Sequence, residues 1–188
     1  DEDAVVDIGD TITMSMAYAM ADKIDEAAFN GDGTSTYGDV VGLKNALSAN
    51  AIQNAAAGND AALNLDLDDF HAVVGKYPQY SAASPRWFMH SAVYYASCVR
   101  LMDAAGGNTN ITLANGASTQ MFMGYPVTFV QVMPSTTSTL ASTIVAYFGD
   151  LRLSSTYGVR RSVRTQVTLD RYFENDLIGI KTTERGAM

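Results

Sequence analysis

The sequence predicts an α+β fold, and three observations carry that prediction. Apolar residues recur at helical spacing through the first thirty positions; an apolar run, a polar turn and a second helical face follow one another within 84–107; and apolar residues alternate with polar ones through much of the last third. With 188 residues, 47% of them apolar and 17% charged, the chain is long enough to bury one domain's core and too apolar to be disordered. A net charge of −8 argues against a nucleic-acid binder held mainly by phosphate contacts, which needs a basic face. No apolar run reaches the roughly 18 residues of a membrane span, and no basic-then-apolar signal segment opens the chain. Asp1-Glu2-Asp3 leads straight into a helical pattern and the chain stops at Gly186-Ala187-Met188, so it is expected to be a piece of a longer polypeptide.

The first element is a helix over 3–30. Val5, Ile8, Ile12, Met16, Ala19, Met20, Ile24, Ala27 and Ala28 form one apolar stripe at 3.6 residues per turn. Asp3, Asp7 and Asp10 sit where the helix dipole favours negative charge, and Asn30-Gly31 supplies the residues that end helices. At about 1.5 Å per residue such a helix is about 38 Å long, a strut for later elements. Gly31, Gly33 and Gly38 then mark a loop. Asp32 and Asp39 among those glycines suggest a calcium or phosphate loop, but the closing Glu and the Gly-Lys-Ser/Thr that those motifs need are both absent, and a plain turn is expected. Residues 48–64 read as an exposed loop with a short helical turn. Asp66 or Asp68 caps the next helix, which buries Leu67, Phe70, Val73, Val74 and Tyr77, exposes His71 and ends by Pro78.

Arg86–Met89 is a short buried strand, His90-Ser91 a turn and helix cap, and Val93, Tyr94, Ser97, Cys98 and Leu101 the buried face of the helix that follows, ended by Gly106-Gly107. The single cysteine excludes an intrachain disulfide and reads as an inert buried thiol. His90, Ser91 and Asp103 invite a serine-nucleophile reading, but the Gly-x-Ser-x-Gly elbow is missing. No catalytic residue, metal ligand or cofactor is assigned. The apolar run in 118–134 is interrupted at Gly124-Tyr125-Pro126, where proline marks an edge, a bulge or the first residue of a new strand. Ser135–Ser142 is a loop, 142–151 a strand ending at Gly149-Asp150, and the remainder extended strands. Within them Val163, Thr165, Val167 and Leu169 share one face, leaving Arg164, Gln166, Thr168 and Asp170 on the solvent side. Arg160, Arg161, Arg164 and Arg171 crowd basic charge into a chain whose N-terminal half is acidic. They read either as a solvated face or as a charged interface, and Arg160, Arg161 and Arg164 are the candidate subunit-interface residues.

Four features in order resemble the major capsid proteins of tailed bacteriophages, the Hong Kong 97-type family. They are the long helix running into Phe29-Asn30-Gly31-Asp32-Gly33-Thr34 with Gly42-Leu43 after it; Trp87, Met89, Ser91, Leu101, Asp103 and Gly106; Met123-Gly124-Tyr125-Pro126-Val127 with Met133-Pro134; and Phe148-Gly149-Asp150 with Glu184-Arg185-Gly186-Ala187. The resemblance implies one capsid-type domain fragment over 1–188. Helix 3–30 would be the spine helix, about 1–45 and 146–188 peripheral-domain elements, and about 60–145 an axial domain with a helix-flanked mixed sheet. It places the family's N-terminal arm and extended loop, with the lysine that cross-links some members, before Asp1. The implied function is structural and not enzymatic. Copies assemble as pentamers and hexamers into an icosahedral shell, with portal and scaffolding components. The shell encloses DNA without sequence-specific binding and touches no membrane. The location implied is the virion capsid, with host cytoplasm during assembly. An encapsulin-like nanocompartment shell and a small α+β enzyme are the alternatives; cargo distinguishes the first and particle formation the second.

Overall fold

The apolar stripe at the start of the chain forms a helix of 23 residues, α1, Ile8–Asn30. The computed structural model describes residues 8–78, 80, 83–104, 111–114, 117–168, 173–175 and 179–187. The other helices are α2 (Leu43–Ala46), α3 (Leu67–Lys76), α4 (Ser91–Val93), α5 (Arg100–Ala104) and α6 (Leu151–Ser154). The strands are β1 (Arg86–Met89), β2 (Ile111–Ala114), β3 (Ala117–Phe122), β4 (Tyr125–Phe129), β5 (Ala146–Gly149), β6 (Gly158–Thr168) and β7 (Gly179–Ala187). The chain divides into two units. Residues 1–42 and 155–188 make a terminal unit, and 43–154 make a middle unit. Helix and sheet elements coexist in it, an α+β architecture.

In the terminal unit, Ile12, Met16, Met20, Ile24, Ala27 and Ala28 are half-buried positions of α1, as the stripe requires, and so are Glu26, Phe29 and Asn30, whereas Ala19 is exposed. Met14 and Tyr18 point outward, 60% and 70% exposed. The chain then doubles back on itself. Gly31 donates its N–H to Ala27 O at 3.0 Å, Gly42 donates to Gly31 O at 2.9 Å, and Asp32 bridges Val41. β6 and β7 form an antiparallel two-stranded ribbon. The alternation reading needs correction here: Val163 and Val167 are 53% and 63% exposed, so neither face of β6 is buried. A two-stranded ribbon has too few neighbours to cover a face by itself. Val5, Leu169, Asp170, Arg171, Leu177 and Ile178 lie outside the described residues.

The middle unit is built on a mixed sheet in the order β2-β3-β4-β1-β5. β1 pairs parallel with β4 and antiparallel with β5. Trp87 and Met89 share one face of β1, and both helical segments pack there. Phe70 of α3 meets Trp87 edge-on at 5.7 Å and Phe122 at 4.9 Å, while Cys98 Sγ lies 3.8 Å from Met89 Sδ. Between α4 and α5 the helix widens into a π-helical turn, Tyr94–Val99. Val93, Tyr94, Ser97 and Cys98 are buried, while Gly106 and Gly107 lie outside the described residues.

Several expectations change. Leu67 is 38% exposed because it opens α3 beside its cap. Ala62, expected in an exposed loop, is fully buried, since Ala62 N–H bonds Thr137 O and Leu140 N–H bonds Asp60 O, zipping two loops together. Met123 and Gly124 take φ of 53° and 82°, so β3 and β4 form a tight hairpin with Pro126 as the second residue of β4. The strand expected over 142–151 is only Ala146–Gly149. Asp150 stops it, accepting Arg152 N–H at 3.0 Å to open α6 and Ser84 N–H at 2.9 Å.

Candidate subunit-contact surface

β6 spends eleven residues against nine in β7, and the excess appears as register shifts between Val159 and Arg161 and between Arg161 and Arg164. Val159 faces Gly186 and Arg161 faces Arg185, so Arg160 is the extra residue of the first bulge. Past the second shift Arg164 pairs with Thr183 and Thr165 with Thr182. Side chains of directly paired residues share a face. The Arg161 guanidinium also donates to the Thr183 hydroxyl. Arg161, Arg164 and Arg185 therefore stand on one face of the ribbon. Arg160 is exposed in its bulge.

The other face carries Thr165 and Thr182, whose hydroxyls lie 3.3 Å apart, and Thr182 Oγ1 donates to Met16 Sδ of α1 at 3.1 Å. Glu184 is on this side too. Tyr157 OH donates to its Oε1 at 3.0 Å, and the phenol lies over Gly186, where a Cβ would stand 2.1 Å from the hydroxyl. Burial, and after it the Glu184 carboxylate, raises the Tyr157 hydroxyl above its ordinary range. The last motif thus has a local reason: Glu184 holds the phenol, Gly186 makes room for it, and Arg185 points the opposite way.

Among the described residues, no carboxylate lies at ion-pairing distance from Arg160, Arg161, Arg164 or Arg185. Acidic charge collects in the N-terminal part of the unit, where Lys23 is the single base in residues 1–42. Asp22 and Asp25 are exposed on α1.

His90 and Asp32 have structural partners. His90 Nδ1 accepts Ala92 N–H at 3.1 Å as the cap of α4, and no hydrogen bond among the described residues joins it to Asp103. Asp32 accepts from the N–H and hydroxyl of Thr34, at 2.9 and 2.7 Å, in a closed turn. Cys98 is fully buried, which pushes its thiol up to about 12. Among the described residues, no three acidic, histidine or cysteine side chains gather as a metal site, and no helix is long and apolar enough to cross a membrane.

The model of the phage capsid family matches residues 2–188. The chain belongs to the phage capsid family. Comparison with curated proteins and with solved structures finds no match. As a phage capsid protein it is a structural subunit of the virion shell, and it works by assembling with copies of itself. A capsid subunit acts through surfaces, and the arginine face of the ribbon is one that this chain exposes. Arg160, Arg161 and Arg164 are conspicuous in the sequence as a cluster. Arg185 is not, because its place beside Arg161 depends on two bulges that alternation alone does not reveal.

Proposed function

We propose that this capsid subunit has the Hong Kong 97-type fold, with α1 as the spine helix of a peripheral domain and the middle unit as the axial domain around capsomer centres. Copies gather as pentamers and hexamers, joined in the particle by portal and scaffolding components. Arg160, Arg161 and Arg164 serve contacts between subunits more than folding. The shell encloses DNA without sequence-specific binding, and the net charge of −8 limits adhesion of packed DNA to the wall.

The observation that carries this reading is the division of the chain. Its two ends combine a 23-residue helix with a long ribbon, and the segment between them folds around its own mixed sheet. Support for the arginines comes from their exposure and from the lack of any carboxylate at ion-pairing distance among the described residues. Electron microscopy of particles carrying this chain tests the proposal. Thin shells resolved into fivefold and sixfold capsomers are expected, with the middle unit nearest each capsomer axis. A shell with α1 at those axes would overturn the domain assignment.

A further inference from the structure

The terminal unit is two-faced. Met16 of α1 meets Thr182, so α1 approaches the ribbon from its threonine side, and Arg161, Arg164 and Arg185 lie on the side away from it. On α1 the exposed residues Met14, Tyr18, Asp22 and Asp25 follow one another at spacings of four, four and three. At about 100° per residue they form one row, roughly opposite Met16. Basic charge thus leaves the unit on one side and acidic charge on the other.

We infer that the arginine face of the β6–β7 ribbon docks on the outer row of α1, Met14 to Asp25, in a neighbouring copy of the chain. This rests on the reading of the arginines as subunit contacts and names the surface they meet. A single copy cannot join two faces that point apart, whereas a head-to-tail contact between unlike patches is the kind that closes into rings. The sizes agree. The α1 row is about 16 Å long at 1.5 Å per residue, and Arg161 to Arg164 covers about 10 Å of strand. Tyr18, 70% exposed, supplies an aromatic anchor with acids beside it. Arg161 stands directly opposite Arg185, a like-charge pair that destabilises the ribbon until carboxylates from outside approach it. Packed DNA is the competing occupant of a basic face. The acidic row on the far side of the same unit favours a second copy, because it supplies the complementary charge.

The test is charge reversal in the polypeptide that carries this chain. Arg161→Glu with Arg164→Glu should lower the fraction sedimenting as shells by about tenfold at low salt, where screening is weakest. Adding Asp22→Arg and Asp25→Arg should restore assembly, because both sides of the contact are then reversed together. Normal shells from the first variant, or no restoration by the second, overturn the contact and leave the shell reading standing. Normal shells that merely retain less DNA would assign the face to DNA instead. An unaltered protein that forms no shells overturns both readings. If charge reversal lowers Tm, the contact is read from Asp25→Cys with Arg164→Cys in a Cys98→Ala background. Oxidised particles should then yield covalent oligomers larger than dimers, and their absence would overturn the inference.

Discussion

Gly42 donates its N–H to the Gly31 carbonyl at 2.9 Å, and a Cβ on Gly42 would stand only 2.5 Å from the Gly31 nitrogen. A Cβ on Gly31 would meet Ala27 O and Val40 O, both at 2.5 Å. Two backbones cross where a side chain cannot fit. Gly42→Ala should therefore destabilise the terminal unit by about 1–3 kcal/mol, the scale of overpacking. Gly75→Ala should do the reverse. Gly75 lies inside α3, exposed, with nothing within 4 Å of its Cβ position, so alanine should add about 0.5–1 kcal/mol. Thermal unfolding of the two variants checks both signs.

Met16→Asp places a carboxylate against Thr182 on the covered side of α1. Met16 is only half-buried, so the expected loss is about 1–3 kcal/mol, less than a fully buried charge would bring. Asp22→Asn, on the outer row, should change stability by less than about 0.5 kcal/mol. Equal denaturation midpoints for the two would mean the covered side of α1 lies elsewhere.

Asp69 ties the 56–66 loop to α3. Its carboxylate accepts from Ala56 N–H at 2.8 Å, Asn59 Nδ2 at 2.7 Å and Asp66 N–H at 3.1 Å. Burial pushes its pKa up, but the Ala56 and Asp66 N–H groups and the Asn59 amide outweigh burial and hold it below the ordinary 3.8. A depressed folded value means this stabilisation is complete above 3.8 and lost as pH falls through the folded value. Asp69→Asn should lower stability at neutral pH by about 1–3 kcal/mol and should weaken the acid dependence below pH 3.8. Urea titrations across pH 2–7 measure both effects.

The alkaline limb has a different origin. Burial raises Cys98 from 9.0 to about 12 and Tyr94 from 10.0 to about 12. A raised folded value means full stabilisation below the unfolded pKa and loss as pH rises towards the folded one. Stability should fall between pH 9.0 and about 12, and Cys98→Ala should make that fall shallower. The native thiol should also react with a disulfide reagent only as fast as the middle unit opens, because the thiolate is the nucleophile. Rapid labelling of the folded protein at pH 8 would contradict the burial of Cys98.

Local patterns determined the elements that depend on near neighbours. The spacing of Ile12, Met16, Met20 and Ile24 marks the covered side of α1, the acids before Phe70 place the cap of α3, and Arg86–Met89 with His90-Ser91 gives strand, cap and helix in order. The arginine cluster was equally visible, since it is a matter of composition along one segment. Its orientation was decided only in three dimensions. Two extra residues in β6 shift the pairing, so Arg161 stands beside Arg185, 24 positions away in the chain, while Arg160 occupies a bulge. Alternation assumes an unbroken ladder with one covered face, and this ribbon has neither. Ala62 and Leu140 joined the core for a similar reason. Backbone hydrogen bonds between two polar loops carry them inward, and no periodicity records that.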